Sequence, residues 1–220
     1  AANANLNFSV IADDGAPFGS AGLTGTDNNM QGDANFGDVR IGGFNLDPDL
    51  GLAMLPPPIN GDTTAGDFFL NTNATWNIGS SFDLFTVSAH EAGHSVGLDH
   101  SAVTTAVMYT FYNGVKSSLA SDDIAGVQSI YGARPQDSFD ASASNNTRLT
   151  ATNISPYIGS NKQVTLTNPD VTTTADHDWY KITIPSGHSG TMTVQLQSSK
   201  LSLLAPKVSL YNSGGTFIKS

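Results

Sequence analysis

The chain reads as an α/β (α+β) domain followed by an antiparallel β-sandwich. Three observations carry that reading. Two segments, 82–96 and 119–132, have apolar residues at helical spacing with start and stop signals at their ends. A strand-like alternation at 6–11 precedes them. Beyond residue 152 several short alternating runs follow one another with turn residues between them and no helix pattern, as in a sandwich. The expected division is 1–135, a linker over 136–152, and 153–220.

In chain order, residues 6–11 alternate apolar and polar like a half-buried strand. Residues 12–37 are rich in Gly, Asp and Asn and read as a long surface loop. The helix over 82–96 has Ser81 or Asp83 near its cap and an apolar face of Leu84, Phe85, Val87 and Ala92. The second helix carries Ile124, Val127, Ile130 and Tyr131 as a stripe, with Gly132 at its end and Pro135 beyond. Runs at 163–167, 179–184, 191–196 and 208–211 read as strands, the last followed by the turn Asn212, Ser213, Gly214, Gly215.

Composition narrows the function classes. At 220 residues and 39% hydrophobic side chains, the chain can bury one medium core or two small ones. The net charge is −10, and of 19 acids Glu91 alone is glutamate. That balance argues against nucleic acid and anionic membrane surfaces as partners. With no cysteine there are neither disulfides nor thiolate metal sites. No run of about 20 apolar residues marks a membrane span.

The most informative stretch is HEAGHSVGLDH, His90 to His100. Side chains four residues apart share one helix face, so His90 and His94 can present imidazole nitrogens to a single ion. His100 can join them if the helix stops soon after His94, and Gly97 tolerates the left-handed conformation common just past a helix end. Three imidazoles with a fourth position left for water is the ligand set of catalytic zinc, and Glu91 stands beside it as a candidate base.

That string, followed by AVMY with Met108, resembles the metzincin zinc peptidases and their Met-turn. Ser101 after the third histidine, Tyr109 directly after Met108, and LASDDIAGVQSIYG (119–132) resemble the matrixins in particular. The resemblance implies a twisted mixed sheet with an active-site helix and a C-terminal helix, one catalytic zinc, and protein or peptide substrates. It implies zinc ligands His90, His94 and His100, Glu91 as general base, and Met108 as an apolar floor. It also implies that either Asp122 or Asp123 bonds the Met-turn backbone; both equally suit a helix start. DVRIGGF (38–44) is similar to a sheet strand of the family. LGLAML (50–55), ended by Pro56, Pro57 and Pro58, is similar to its edge strand, where Leu52, Ala53 and Met54 would border the bound peptide; an edge blunted by prolines is also an ordinary device against aggregation. Thr110, Phe111 and Tyr112 would wall the S1′ pocket, for a large apolar P1′ residue, with Thr110 in place of the family's proline. Met54 and Phe69 stand where the family has structural-zinc histidines, so a second zinc is not expected. Asp62 and Asp67, with Asn71, are candidate calcium ligands or simply solvated turn residues. Residues 1–10 are similar only to the tail of the family's first helix, so its first strand and helix are expected to be missing.

In the C-terminal part, DHDWYKITIPSG resembles the bacterial pre-peptidase C-terminal domain, a secreted β-sandwich, here expected to be truncated. A role in binding a surface or polymer, and secretion of the whole, follow as expectations; His177 and His188 read as loop residues. Two other readings stay open: a catalytically inactive zinc-bearing adhesion module, and a zinc hydrolase of a non-peptide bond. Retention of Glu91 argues against the first, since a structural metal site has no need of a base.

Overall fold

The computed structural model describes residues 3–11, 37–61, 64–140, 143–172, 176–198 and 206–220. The chain forms two compact units, residues 10–132 and residues 1–9 with 133–220.

In the first unit three short strands make a mixed sheet. β1 (Ile41–Phe44) runs parallel to β3 (Phe68–Asn71), with Ile41 opposite Phe68 and Phe44 opposite Asn71. β2 (Gly51–Ala53) runs antiparallel to β3, with Leu52 opposite Phe69. β3 is therefore central and β2 an edge. The pairing continues past β2 through Met54 N–H to Asp67 O (2.8 Å) and Gly66 N–H to Met54 O (2.8 Å). Two buried polar side chains fix this register. Asn71 donates to Asp47 Oδ1 (2.9 Å) and to the carbonyl of Asp49 (2.7 Å), pinning the loop between β1 and β2. Asp67 accepts from the Arg40 backbone N–H (2.8 Å) and from its guanidinium, tying the start of β3 to the start of β1. A buried carboxylate is tolerated when it is paired and hydrogen-bonded in this way.

Helix α1 (Leu84–Ser95) begins at Asp83, whose carboxylate accepts from Thr86 N–H (2.8 Å), Thr86 Oγ1 (2.6 Å) and Gly79 N–H (2.6 Å). The Thr86 hydroxyl first, and the Gly79 N–H second, hold this carboxyl below its usual range. Val87, Glu91 and Ser95, four residues apart, form the buried stripe. Val87 is buried as expected, but Phe85, expected on the same face, is exposed, because the helix turns Thr86 inward in its place. Helix α2 (Ser121–Tyr131) buries Asp123 and Val127, and Gly132 ends it at φ +77°. Tyr131 Oη donates to Val96 O (3.0 Å), linking the ends of the two helices. Among the described residues no helix is long and apolar enough to cross a membrane.

The second unit contains β4 (Thr152–Asn153) parallel to β5 (Tyr180–Lys181), the 3₁₀ turn Ser155–Tyr157, and β6 (Leu210–Tyr211) antiparallel to β7 (Phe217–Lys219). The expected runs at 163–167 and 191–196 form no strand among the described residues. Edge-to-face pairs Phe139–Tyr180 and Tyr211–Phe217 pack it, together with Trp179 against Tyr211. Residues 6–11 also form no strand: Ala4 bridges Ala133, and the Arg134 guanidinium takes Leu6 O and Asn7 Oδ1, so these groups bond outside any ladder. The stretch 136–152, expected as a linker, contributes buried Asp137, Asp140 and Asn145 to this unit.

Candidate metal centre and active site

One turn of α1 separates His90 from His94, so their rings share a face. Beyond the helix Gly97 takes φ +92°, with Gly97 N–H bonded to His94 O and Leu98 N–H to Gly93 O (both 2.9 Å). This left-handed turn brings His100 back beside the other two rings. His90 Nδ1 lies 2.8 Å from Val107 O and His94 Nδ1 lies 2.8 Å from Leu98 O. A carbonyl can only accept, so each Nδ1 carries the proton and each Nε2 presents a lone pair. His94 Nε2 stands 3.2 Å from His90 Nε2 and 3.3 Å from His100 Nε2. Ligands at 2.0–2.1 Å on a tetrahedral ion lie about 3.3–3.4 Å apart, so the donor set fits zinc. Burial is the main cause holding His90 and His94 below the usual imidazole range, which keeps both neutral and able to donate lone pairs.

Glu91, only 6% exposed, sits on the neighbouring side of the helix against the edge strand. A Cβ added at Gly51 would overlap the Glu91 carboxylate, so this close approach requires the glycine in β2. Burial, and then the charge of Asp49, push the Glu91 carboxyl up to about 7. A cation beside it would act in the opposite direction.

The floor of the site comes from the chain after His100. Met108 is buried with its sulfur against Gly93, where a Cβ would collide with it. Ser101 N–H donates to Met108 O (2.8 Å), holding the His100 segment to this turn. Asp123, 2% exposed, accepts from Val107 N–H (2.9 Å), Met108 N–H (3.0 Å) and Ala120 N–H (2.8 Å). Of the two candidate aspartates it is thus Asp123 that grips the turn, while Asp122 accepts from Ser101 Oγ (2.5 Å).

The sequence around this geometry has relatives. Residues 43–132 match the matrixin family. Karilysin of Tannerella forsythia is 36% identical over 143 residues, covering 63% of this chain and 29% of karilysin. Matrilysin of Rattus norvegicus is 43% identical over 90 residues, or 39% of this chain and 32% of matrilysin. The hatching enzyme of Paracentrotus lividus is 47% identical over 72 residues, or 31% and 12%. The chain thus spans a third or less of the length of these relatives. Matrixins are zinc metalloendopeptidases, and within the matched residues His90, His94 and His100 form a group that could hold a zinc ion.

The remaining expected site residues lie on several elements. Leu52, Ala53 and Met54 lie on or just past β2, and Leu52 is largely exposed. Thr110 is exposed and Phe111 is 70% exposed, edge-on to Tyr109. Tyr112 points to the start of α1: its hydroxyl accepts from Asp83 N–H (3.0 Å) and donates to Ser80 O (3.1 Å). Asp67 is committed to Arg40, and Asp62 lies outside the described residues. Sequence reading missed the tie of Tyr112 and the fit of Gly51 to Glu91, since neither pair is close in sequence.

Proposed function

We propose that the matrixin domain is the catalytic part of a secreted, zinc-dependent metalloendopeptidase of bacterial type that hydrolyses peptide bonds in proteins. The observation that carries this reading is that Glu91, on the helix that bears His90 and His94, lies buried against edge strand β2. β2 is an edge to which an extended peptide can add by main-chain hydrogen bonds, which would set the base beside the backbone to be cut. Zinc held by the three Nε2 atoms would polarise the scissile carbonyl and lower the pKa of its water towards about 7. Glu91 takes the proton of the attacking water on its carboxylate and hands it to the leaving amine, so no covalent intermediate with the protein is needed. Val107 O and Leu98 O hold the His90 and His94 rings in the ligating tautomer throughout. Phe111, exposed after the Met-turn, together with Thr110 and Tyr112, lines the P1′ side and favours a large apolar residue there. Residues 153–220 are read as a β-sandwich of the pre-peptidase C-terminal type that binds a surface or polymer.

The test uses the full chain and Glu91→Ala on an unbiased peptide library, with zinc content determined in both. The wild type is expected to cut before large apolar residues and to stop on chelation, while the variant keeps one zinc and does not cut. If both folded proteins hold zinc and neither cuts, the enzyme reading fails and the zinc-bearing binding module takes its place.

A further inference from the structure

Outside the histidine site, a second group of ligand-type side chains lies wholly within the C-terminal unit. Asp140, Asp176 and Asp178 each bring one carboxylate oxygen within 4.8 Å of the others. Asp140 is 2% and Asp176 7% exposed. Among the described residues no Lys or Arg pairs with any of the three: Arg40 goes to Asp67 and Arg134 to Asp170. Their supports are neutral. Asn145, fully buried, donates its backbone N–H to Asp140 Oδ1 (2.8 Å), and its side-chain amide nitrogen, turned towards them, reaches Asp140 Oδ1 (2.9 Å) and Asp178 Oδ1 (3.3 Å). Thr172 satisfies one oxygen of Asp176, through its N–H (2.7 Å) and Oγ1 (2.8 Å), both to Oδ2.

The decisive detail is the other oxygen. Asp176 Oδ1 is buried and has no hydrogen-bond partner. A buried, unpaired carboxylate oxygen normally costs several kcal/mol unless a proton or a cation meets it. Burial first, then the charges of Asp137, Asp176 and Asp140, push the Asp178 carboxyl up to about 6, which registers the same crowding. Asp137 does not relieve it, since its oxygens cap Phe139 N–H (2.6 Å), Asp140 N–H (3.1 Å) and Asp170 N–H (2.9 Å).

We propose that Asp140, Asp176 and Asp178 bind a calcium ion, with Asn145 positioning the carboxylates, and that this ion orders the C-terminal unit. Oxygens sharing one calcium at 2.3–2.6 Å lie up to about 5 Å apart, which accommodates the observed group. Three anionic oxygens with no nitrogen or sulfur among them suit a hard cation, and three carboxylates suit calcium better than magnesium, which takes one or two and keeps its waters. The ion joins residues on both sides of β4, bringing the 137–145 segment to the strand that begins at Tyr180.

The test is calcium titration of the full chain, freed of divalent ions on a chelating resin and resupplied with zinc, read by calorimetry and thermal unfolding. The expected result is one calcium per chain and a saturable rise in the unfolding temperature of the C-terminal unit, with magnesium giving neither at equal concentration. Asp176→Asn and Asp178→Asn should each weaken calcium binding about tenfold or more, since charge count sets affinity at such sites. Asp178→Asn also relieves repulsion, so it should unfold at a higher temperature than the wild type in calcium-free buffer; this separates lost binding from failure to fold. Absence of a saturable calcium response in the folded wild type, or a response left intact by both substitutions, overturns the proposal.

Discussion

The two units each gather three ligand-type side chains, and they do so on opposite electrostatic terms. At the histidine site the converging groups are imidazoles, and burial keeps His90 and His94 neutral. Backbone carbonyls take the Nδ1 protons, so both rings are aimed by the frame alone. At the aspartate site the converging groups are acids, crowded enough that Asp178 is pushed up to about 6, and one oxygen of Asp176 is left unmet. A site of neutral ligands can be built rigidly first and loaded afterwards. A site of carboxylates is incomplete until a positive charge arrives, so its ion is part of the local fold. Activity should therefore respond to changes at the first site, and stability to changes at the second.

The largest expected effect tests the separation of frame and chemistry. Glu91→Ala removes the base but none of the imidazoles or their carbonyl partners, so zinc content should stay at one while kcat/KM falls by about 10²–10⁴. Loss of zinc along with activity would mean that the carboxylate helps hold the ligands, and the contrast with the aspartate site would weaken. A smaller effect is expected at Asp123, which gathers three backbone N–H groups. Asp123→Asn turns an amide nitrogen against at least one of these donors, and a buried donor left unmet costs about 1–3 kcal/mol. Urea unfolding of the first unit should register it, with zinc still bound.

Legibility from sequence followed the same divide. His90, His94 and the turn at Gly97 were readable because helical spacing and a left-handed glycine act over a few residues. The mixed sheet and both helices were expected, and they form, although the helix phase exposed Phe85 in place of Thr86. Asp123 could be narrowed only to a pair, because which of two adjacent helix-start acids turns inward depends on packing. The aspartate site was invisible. Asp140 falls in the stretch read as a linker, far in sequence from Asp176, and only the fold shows that Asp140 and Asn145 are buried. The absent strands at 163–167 and 191–196 make the same point, since alternation marks a face but not a ladder partner.

Acid provides the next test of the contrast, at a carboxylate of the first unit with no ion to meet. Asp83 is held below its ordinary value of 3.8 by Thr86 and Gly79. The sign follows from linkage: an acid with a lowered folded pKa contributes stability that is present above the unfolded value and is lost as pH falls through the folded one. The first unit should thus lose stability below about pH 3.8, and Asp83→Asn should flatten that slope, read by thermal unfolding at pH 3 and pH 6. An unchanged slope would mean that α1 is held by its packing and not by its cap.

The smallest effect concerns how far the frame of the histidine site extends. Tyr112 was expected as a pocket wall, yet its hydroxyl bridges Asp83 N–H and Ser80 O, and its ring lies 5.7 Å from that of Phe82. Phe82 holds φ +53°, an unfavourable conformation for a large side chain, and the bridge from Tyr112 spans this residue. The segment after the Met-turn is in this way clamped to the start of the helix that carries His90 and His94. Tyr112→Phe keeps the ring and deletes only the bridge, so stability should fall by about 0.5–1.5 kcal/mol, the net worth of an ordinary hydrogen bond. If Tyr112 serves the frame, cleavage of peptides with different P1′ residues should fall by one common factor. If it serves the pocket, preference among those residues should change while stability does not. The first outcome leaves the P1′ side to Phe111 and Thr110, and the second keeps Tyr112 on it.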